Sequence, residues 1–90
     1  MKNDLGKLRE EINKIDKEIL ALLKKRLGIS GKVGKIKSKL GLKIIDKKRE
    51  GEIINKAIAS SGLESNFIKN LYKLIFNYSY KIQKKYVKKY

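Results

Sequence analysis

The sequence has 90 residues, and its 24 lysines and arginines against 9 aspartates and glutamates give a formal net charge of +15. It contains no cysteine, histidine or proline, so disulfides, thiolate nucleophiles, histidine bases and the usual zinc sites are excluded. The length is that of one domain, residues 1–90, close to the size at which a monomer's own core is marginal. The N-terminus lacks the apolar core of a signal peptide and no apolar run approaches membrane-spanning length, so we expect a cytoplasmic protein.

The positive charge is compatible with two classes of partner, a nucleic acid or a small polyanionic substrate. Lysines occur in every segment rather than along one face, and acidic residues are mixed among them. Only residues 81–90 form a dense basic run with interleaved tyrosines. This distribution weakens the nucleic-acid interpretation, and charge by itself does not decide between the two.

Residues 4–40 are predicted to form one unusually long helix, with Asn3 or Asp4 as its N-cap. Its apolar residues are spaced by alternating intervals of four and three, which is typical of a coiled-coil stripe. The stripe contains Leu8, Ile12, Ile15, Ile19, Leu22, Ile29, Val33, Ile36 and Leu40. One position within it is Arg26. A guanidinium in an apolar stripe is costly unless an anionic group meets it, so Arg26 marks a candidate anion site.

The predicted first helix is too long for the rest of its own chain to cover. About 36 helical residues span roughly 54 Å. A compact domain of this length has a radius of gyration of only about 12 Å. We therefore expect a second copy to cover the helix, in a homodimer.

Three glycines, Gly28, Gly31 and Gly34, recur at intervals of three within this helix. Each costs about 1 kcal/mol relative to alanine in a helix interior. Either the helix is locally weak or kinked, or these positions allow another helix or a ligand to approach the backbone closely. We favour close approach, because the glycines flank the stripe near Arg26.

Helical phase relates three cations of the first helix. Arg26 and Lys37 lie within about 20° of each other around the axis and about 16 Å apart along it, so both can lean toward one small ligand. Arg9 is about 100° away in phase and roughly 25 Å from Arg26 along the axis. It cannot reach the same pocket within one chain, whereas in an antiparallel dimer the partner's Arg9 can return to it. Plain solvent exposure remains an equal alternative for Arg9 and Lys37.

A second helix is predicted at about residues 46–60. Gly41 is a suitable C′ residue for the end of the first helix, and Asp46 is a natural N-cap for the second. Arg49 and Glu50 fall in the first turn. Arginine there opposes the helix dipole, so its position requires an explanation.

A third helix is predicted at about residues 65–88, after a cap at Ser65 or Asn66. Ser79 and Gln83 are spaced i, i+4 and therefore project side by side, next to the apolar face of this helix. Neutral hydrogen-bonding groups at a core edge are commonly structural. The pair by itself favours that role over a functional one.

Taken in order, several short motifs resemble the all-helical class of chorismate mutase, and the resemblance covers nearly the whole chain. LREEI with ID, at residues 8–12 and 15–16, is similar to the family's opening pattern. The resemblance continues through LALL (20–23), Arg26 and VGKIK (33–37). DKKRE (46–50) is similar to the family's DxxRE signature, and Ser79 and Gln83 complete the series.

This resemblance implies an all-α protomer of three helices that intertwines with a second copy into a six-helix homodimer. Each of the two active sites would be completed by an arginine from the other chain. The implied reaction is the rearrangement of chorismate to prephenate, the step of the shikimate pathway that leads to phenylalanine and tyrosine. It is unimolecular and needs no cofactor, metal, nucleophile or general base, which suits a chain without histidine and cysteine.

The resemblance also implies which residues bind the two substrate carboxylates. Arg26 and Arg9 of the partner subunit would hold them, with Arg49 beside them and Ser79 against one carboxylate. Planar guanidinium groups bind carboxylates in bidentate fashion.

The remaining implied roles concern the reacting ether and the ring hydroxyl. Lys37 and Gln83 would donate hydrogen bonds to the ether oxygen, where negative charge grows in the transition state. Glu50 would accept from the ring hydroxyl, with Asp46 contributing nearby. Lys37, Gln83, Glu50 and Arg26 are thus the expected catalytic residues.

Two alternatives and one departure from the family pattern accompany this interpretation. An isochorismate-pyruvate lyase on the same scaffold would use a similar set of cations. A basic helical dimer that binds nucleic acid would explain the charge, but it offers no reason for Arg26 in the stripe or for the motif at 46–50. Gly28 and Gly31 stand where we expect larger side chains, and they would enlarge the pocket or loosen the helix.

Overall fold

The computed structural model describes residues 2–87 and contains three α-helices in that range. These are α1 (Lys2–Leu40), α2 (Lys47–Ser61) and α3 (Ser65–Lys84). The part of the chain that is described contains no strand, so the predicted all-α fold is confirmed. The predicted third helix ran to about residue 88, whereas α3 ends at Lys84 and residues 85–87 form a turn and bend. Residue 88 lies outside the described range.

The C-terminus of α1 is closed by a glycine, as predicted. Gly41 has φ of 68°, a left-handed conformation that an L side chain rarely adopts. Its amide donates to the carbonyl of Ser38 at 3.3 Å, and the Leu42 amide donates to that of Lys37 at 2.9 Å. These two bonds form a Schellman motif and satisfy carbonyls that the helix leaves free. The chain therefore turns sharply at Gly41, just after the last residue of α1.

The predicted N-cap of α2 is confirmed, whereas the other two predicted caps are wrong. Asp46 Oδ1 accepts from the Arg49 amide at 3.0 Å. In α1, Asp4 lies within the first turn of the helix, where its negative charge still interacts favourably with the helix dipole. Glu64 is the N-cap residue of α3, and its side chain makes no capping hydrogen bond.

The protomer is elongated and has a very small core of its own. It measures 62 × 24 × 15 Å, and its radius of gyration is 17.1 Å, against about 12 Å for a compact domain of this length. Helix α3 packs against both α1 and α2. Within the described residues, the buried apolar side chains are Ile68 and Phe76, which are 3% and 5% exposed. The C-terminal half of α1, α2 and α3 thus form the packed part of the molecule.

The apolar stripe of α1 is exposed along its whole length. Exposed fractions of the stripe residues range from 38% at Val33 to 66% at Leu22 and Leu40. Residues 3–22 are all exposed. Over the described part of the chain, no helix has an apolar stretch of the length and hydropathy that would cross a bilayer.

Candidate active site

A cleft of about 290 Å³ lies where α1, the N-terminus of α2 and α3 meet. Its volume is at the lower end for sites that bind small molecules. The apolar part of its wall comes from Ile29, Val33, Ile53 and Phe76. The polar part comes from Arg26, Ser30, Lys37, Asp46, Arg49, Glu50, Ser79, Tyr80 and Gln83. Three of these side chains are cationic and two are acidic, so the cleft favours an anionic ligand.

Arg26 is held at this cleft by two contacts from α3. Its Nη1 donates to the hydroxyl oxygen of Ser79 at 3.3 Å. Its guanidinium carbon lies 5.9 Å from the centre of the Phe76 ring, which is within the range of a cation–π interaction. The residue is only partly buried, and neither contact neutralises its charge. The guanidinium is thus oriented by neutral groups and retains donors for an anion.

Gln83 is buried at the cleft and is held by Ser30 of α1. Its Nε2 donates to Ser30 Oγ at 2.9 Å, and Ser30 Oγ in turn lies 3.5 Å from the backbone carbonyl oxygen of Ser79, to which it donates. No donor from the described residues reaches Gln83 Oε1, which is buried. The one hydrogen of the Ser30 hydroxyl is directed to the Ser79 carbonyl, so this hydroxyl accepts from Gln83. The Gln83 amide nitrogen carries two hydrogens, and the second is not used in the bond to Ser30.

Gly34 permits the close packing of α1 against Gln83. A Cβ atom built on Gly34 would lie 2.7 Å from Gln83 Cα, a distance that real Cβ atoms essentially never show. One built on Gly31 would make ordinary contacts with Ile82 and Tyr86, at 3.5 Å or more, and one on Gly28 would meet no atom of the described residues within 4 Å. Close approach, which we favoured for all three glycines, is therefore confirmed at Gly34 alone.

Lys37 reaches the cleft from the last turn of α1. Its Nζ donates to the carbonyl oxygen of Ile44 at 2.7 Å, across the turn that follows Gly41. One of the three ammonium donors is thereby occupied and the side chain is held in place. The other two donors remain for a ligand in the cleft that Lys37 lines.

The N-terminus of α2 contributes both acidic residues of the cleft. Asp46 is fixed by its capping hydrogen bond, and Arg49 lies 3.5 Å from Glu52 in an exposed ion pair. Glu50 is better buried, with 17% of its side chain exposed, and its Oε1 lies 3.7 Å from Lys47 Nζ. The first turn of α2 thus places Arg49 and Glu50 side by side at the cleft. This position explains why an arginine occurs in that turn although it opposes the helix dipole.

Tyr80 links Glu50 to α3. Its hydroxyl donates to Glu50 Oε2 at 2.6 Å. Burial raises the pKa of the Tyr80 phenol to about 12, with the hydrogen bond to Glu50 and the negative charge of that carboxylate adding to the effect. The backbone amide of Asp46 acts in the opposite direction and lowers the pKa. The phenol is therefore a hydrogen-bond donor throughout the ordinary pH range.

All predicted site residues except Arg9 line this one cleft. Arg9 lies in the exposed N-terminal half of α1, away from it. Two polar residues of the cleft were not anticipated from the sequence, Ser30 and Tyr80. Helix periodicity could have indicated Ser30, because this residue lies four positions after Arg26 and therefore on the same face of α1. Tyr80 follows Ser79 directly, and no pattern in the sequence distinguishes it from an ordinary exposed tyrosine.

Comparison with known proteins gives a family match over most of the chain. Residues 8–84 match the family described as chorismate mutase type II. The chorismate mutase of Methanocaldococcus jannaschii is 29% identical over 92% of this chain and 87% of its own length. A bifunctional chorismate mutase/prephenate dehydratase of Buchnera aphidicola is 37% identical over 99% of this chain. This chain spans 24% or less of the length of the bifunctional relatives.

A solved structure shares the fold. The chorismate mutase (form II) from Thermus thermophilus superposes with a TM-score of 0.85 and is 29% identical in sequence. The match covers 93% of this chain and 98% of that one. The arrangement of α1, α2 and α3 is therefore similar in the two proteins.

Proposed function

Because this chain belongs to the chorismate mutase type II family, we propose that it is an isomerase that converts chorismate to prephenate. The observation that carries the proposal is the convergence of Arg26, Lys37, Glu50 and Gln83 on one cleft from three different helices. The family resemblance implies the same four residues. The proposed role lies in aromatic amino acid biosynthesis, and for that reason we also propose a cytoplasmic location.

The proposed reaction breaks the ether C–O bond of chorismate while a new C–C bond forms within the same molecule. No proton is transferred and no covalent bond to the protein is made. Catalysis therefore depends on holding the compact, reactive conformer and on stabilising the negative charge that develops at the ether oxygen. Fixed cations and hydrogen-bond donors perform both tasks.

In this proposal Arg26 binds one substrate carboxylate, with Arg49 and Ser79 beside it. The support is that Arg26 is oriented by Ser79 and Phe76 without losing its charge. Arg49 is more exposed, with 65% of its side chain accessible, so it contributes less than Arg26. A bidentate guanidinium–carboxylate contact also fixes the orientation of the substrate.

Lys37 and Gln83 donate to the ether oxygen in the proposed transition state. The Lys37 ammonium is held by the Ile44 carbonyl and keeps two free donors. The Gln83 amide donates one of its two Nε2 hydrogens to Ser30, and the second is the donor proposed for the ether oxygen. Glu50 accepts from the ring hydroxyl, with Asp46 nearby. Because Gln83 is an amide, this donor is present at every ordinary pH.

The assay that tests the proposal follows the loss of chorismate by ultraviolet absorbance. Acid conversion of the product to phenylpyruvate identifies prephenate. If the protein does not convert chorismate but releases pyruvate and salicylate from isochorismate, it is a lyase on the same scaffold. A folded protein that turns over neither compound, and that binds DNA or RNA with strong salt dependence, would overturn the enzyme assignment.

We further propose that the protein is a homodimer whose partner subunit completes each site with Arg9. The accessible surface of one chain is 7988 Å², whereas a compact monomer of this size exposes about 5,400 Å². The excess of roughly 2,600 Å² per chain is in the range of obligate dimer interfaces. The exposed apolar stripe of α1 supplies the surface for such an interface.

Mixing two inactive variants tests the contribution of Arg9 across the dimer. Co-expressed Arg9→Ala and Arg26→Ala chains would form mixed dimers in which one of the two sites has both arginines intact. About a quarter of wild-type activity is expected for random pairing. If Arg9 served the site of its own chain, the mixture would show no such recovery. If it served no site, Arg9→Ala by itself would keep wild-type activity. Light scattering of the same samples measures whether they are dimers.

A further inference from the structure

We propose that Tyr80 is a positioning residue, which holds the Glu50 carboxylate so that it can accept a hydrogen bond from the ring hydroxyl of the substrate. This inference rests on the proposed function, because that function gives Glu50 its role. The observation behind it is the hydrogen bond of 2.6 Å from the Tyr80 hydroxyl to Glu50 Oε2.

The two oxygens of the Glu50 carboxylate have different surroundings. Oε2 is engaged by Tyr80, while Oε1 lies 3.7 Å from Lys47, whose side chain is 83% exposed. Exposed ion pairs of this kind contribute little. An ionised carboxylate has about four lone-pair sites, so Glu50 can accept a further hydrogen bond while Tyr80 remains bound.

Without Tyr80 the carboxylate would have little to fix its orientation. The terminal torsion of glutamate has a broad energy minimum, so the group rotates readily unless a partner holds it. Among the described residues, Tyr80 is the hydrogen-bond donor to the Glu50 side chain, and Lys47 forms its ion pair. The phenol comes from α3, so the direction of the carboxylate is set from outside its own helix.

The phenol is suited to this task by its chemistry and its position. It stays protonated to high pH, because its pKa is raised to about 12 by burial and by Glu50 itself. Tyr80 and Glu50 both line the cleft, and Tyr80 directly follows Ser79, which contacts Arg26. Adjacent residues of α3 thus hold Glu50, which is proposed to accept from the ring hydroxyl, and Arg26, which is proposed to bind a carboxylate.

A purely structural role is the competing explanation, since the same hydrogen bond joins α2 to α3. The two explanations differ in substrate selectivity. A structural bond affects every substrate equally. A bond that orients Glu50 toward the ring hydroxyl matters only for a substrate that carries this hydroxyl.

The test compares chorismate with an analogue that lacks the ring hydroxyl, using wild type and Tyr80→Phe. We expect Tyr80→Phe to lower kcat/KM for chorismate by about tenfold and to change the value for the analogue by less than about twofold. Where the analogue is not turned over, its inhibition constant takes the place of kcat/KM. The control is Tyr78→Phe, because Tyr78 is 56% exposed and does not line the cleft.

A second comparison uses the Glu50→Ala background, because a glutamine would keep an oxygen that can still accept from Tyr80. There, Tyr80→Phe is expected to have no further effect on chorismate turnover, since the group it orients is gone. Equal losses for chorismate and the analogue, or a full additional loss in the Glu50→Ala background, would overturn the positioning role. Wild type that turns over neither compound would overturn the proposed function instead.

Discussion

Gly34 and Gln83 face each other so closely that a methyl group on Gly34 would stand 2.7 Å from the Cα atom of Gln83. The atom in the way belongs to the backbone of α3, so it cannot move aside without shifting the helix. This contact brings Gln83 within 2.9 Å of Ser30 on α1. The absence of one side chain thus determines where a proposed catalytic residue stands.

Gly34→Ala is therefore expected to destabilise the protein by about 1 to 3 kcal/mol, although alanine is the better helix former. It should also lower kcat/KM, because Gln83 is displaced. The matched control is Gly28→Ala, where a Cβ meets no atom of residues 2–87 within 4 Å and the change should be neutral or stabilise by up to about 1 kcal/mol. Urea unfolding and steady-state kinetics measure both. Equal stability of the two variants would contradict the packing argument.

Arg26→Ala should lower kcat/KM by a factor of about a thousand or more and leave the helical content unchanged. Arg26 is only partly buried and contacts neutral groups, so it contributes little to the stability of the protein without substrate. Circular dichroism checks the fold and the prephenate assay checks turnover. Arg26→Lys keeps the charge without the bidentate geometry and should retain part of the activity. Near-normal turnover by Arg26→Ala would show that the cleft is not the active site.

Lys37→Ala is expected to lower kcat more than it raises KM. Its proposed contact is with the ether oxygen, whose negative charge grows only as the transition state forms. Lys39→Ala is the control, because Lys39 is also in the last turn of α1 but is exposed and does not line the cleft. If Lys37→Ala changed KM alone, Lys37 would act in substrate binding and not in stabilising the transition state.

The wild-type rate should have no acidic optimum, because the Gln83 amide donates at every ordinary pH. In Gln83→Glu the ionised carboxylate cannot donate, and only its protonated form can replace the amide. Burial favours the neutral form and so raises the pKa of this carboxyl. Activity of the variant should therefore be low at neutral pH and rise as the pH is lowered. A variant whose pH profile matched that of the wild type would exclude Gln83 as the donor.

Tyr80 should contribute stability that disappears at alkaline pH. Its pKa in the folded protein is about 12, above the ordinary value of 10.0, so the folded state holds the phenolic proton more tightly. The contribution is fully present below pH 10 and is lost as the pH rises through 12. The difference in unfolding free energy between wild type and Tyr80→Phe should shrink over that interval. A difference that stays constant would mean that folding does not raise the pKa of this phenol.

The local features of this protein could be predicted from its amino-acid sequence. Helix periodicity identified the three helices, and the sequence also indicated the Asp46 cap of α2 and the Gly41 termination of α1. It also identified Arg26 as a charge within an apolar stripe. These features depend on residues within a few positions of one another, so spacing alone predicts them.

The way in which the helices meet could not be predicted in this way. The closeness of Gly34 to Gln83, the partnership of Ser30 with Gln83 and the bond from Tyr80 to Glu50 each join residues of different helices. The helical pattern of one segment carries no information about its rotation and depth relative to another. Those depend on which side chains fill the space between the helices, and at Gly34 that space is filled by the backbone of α3.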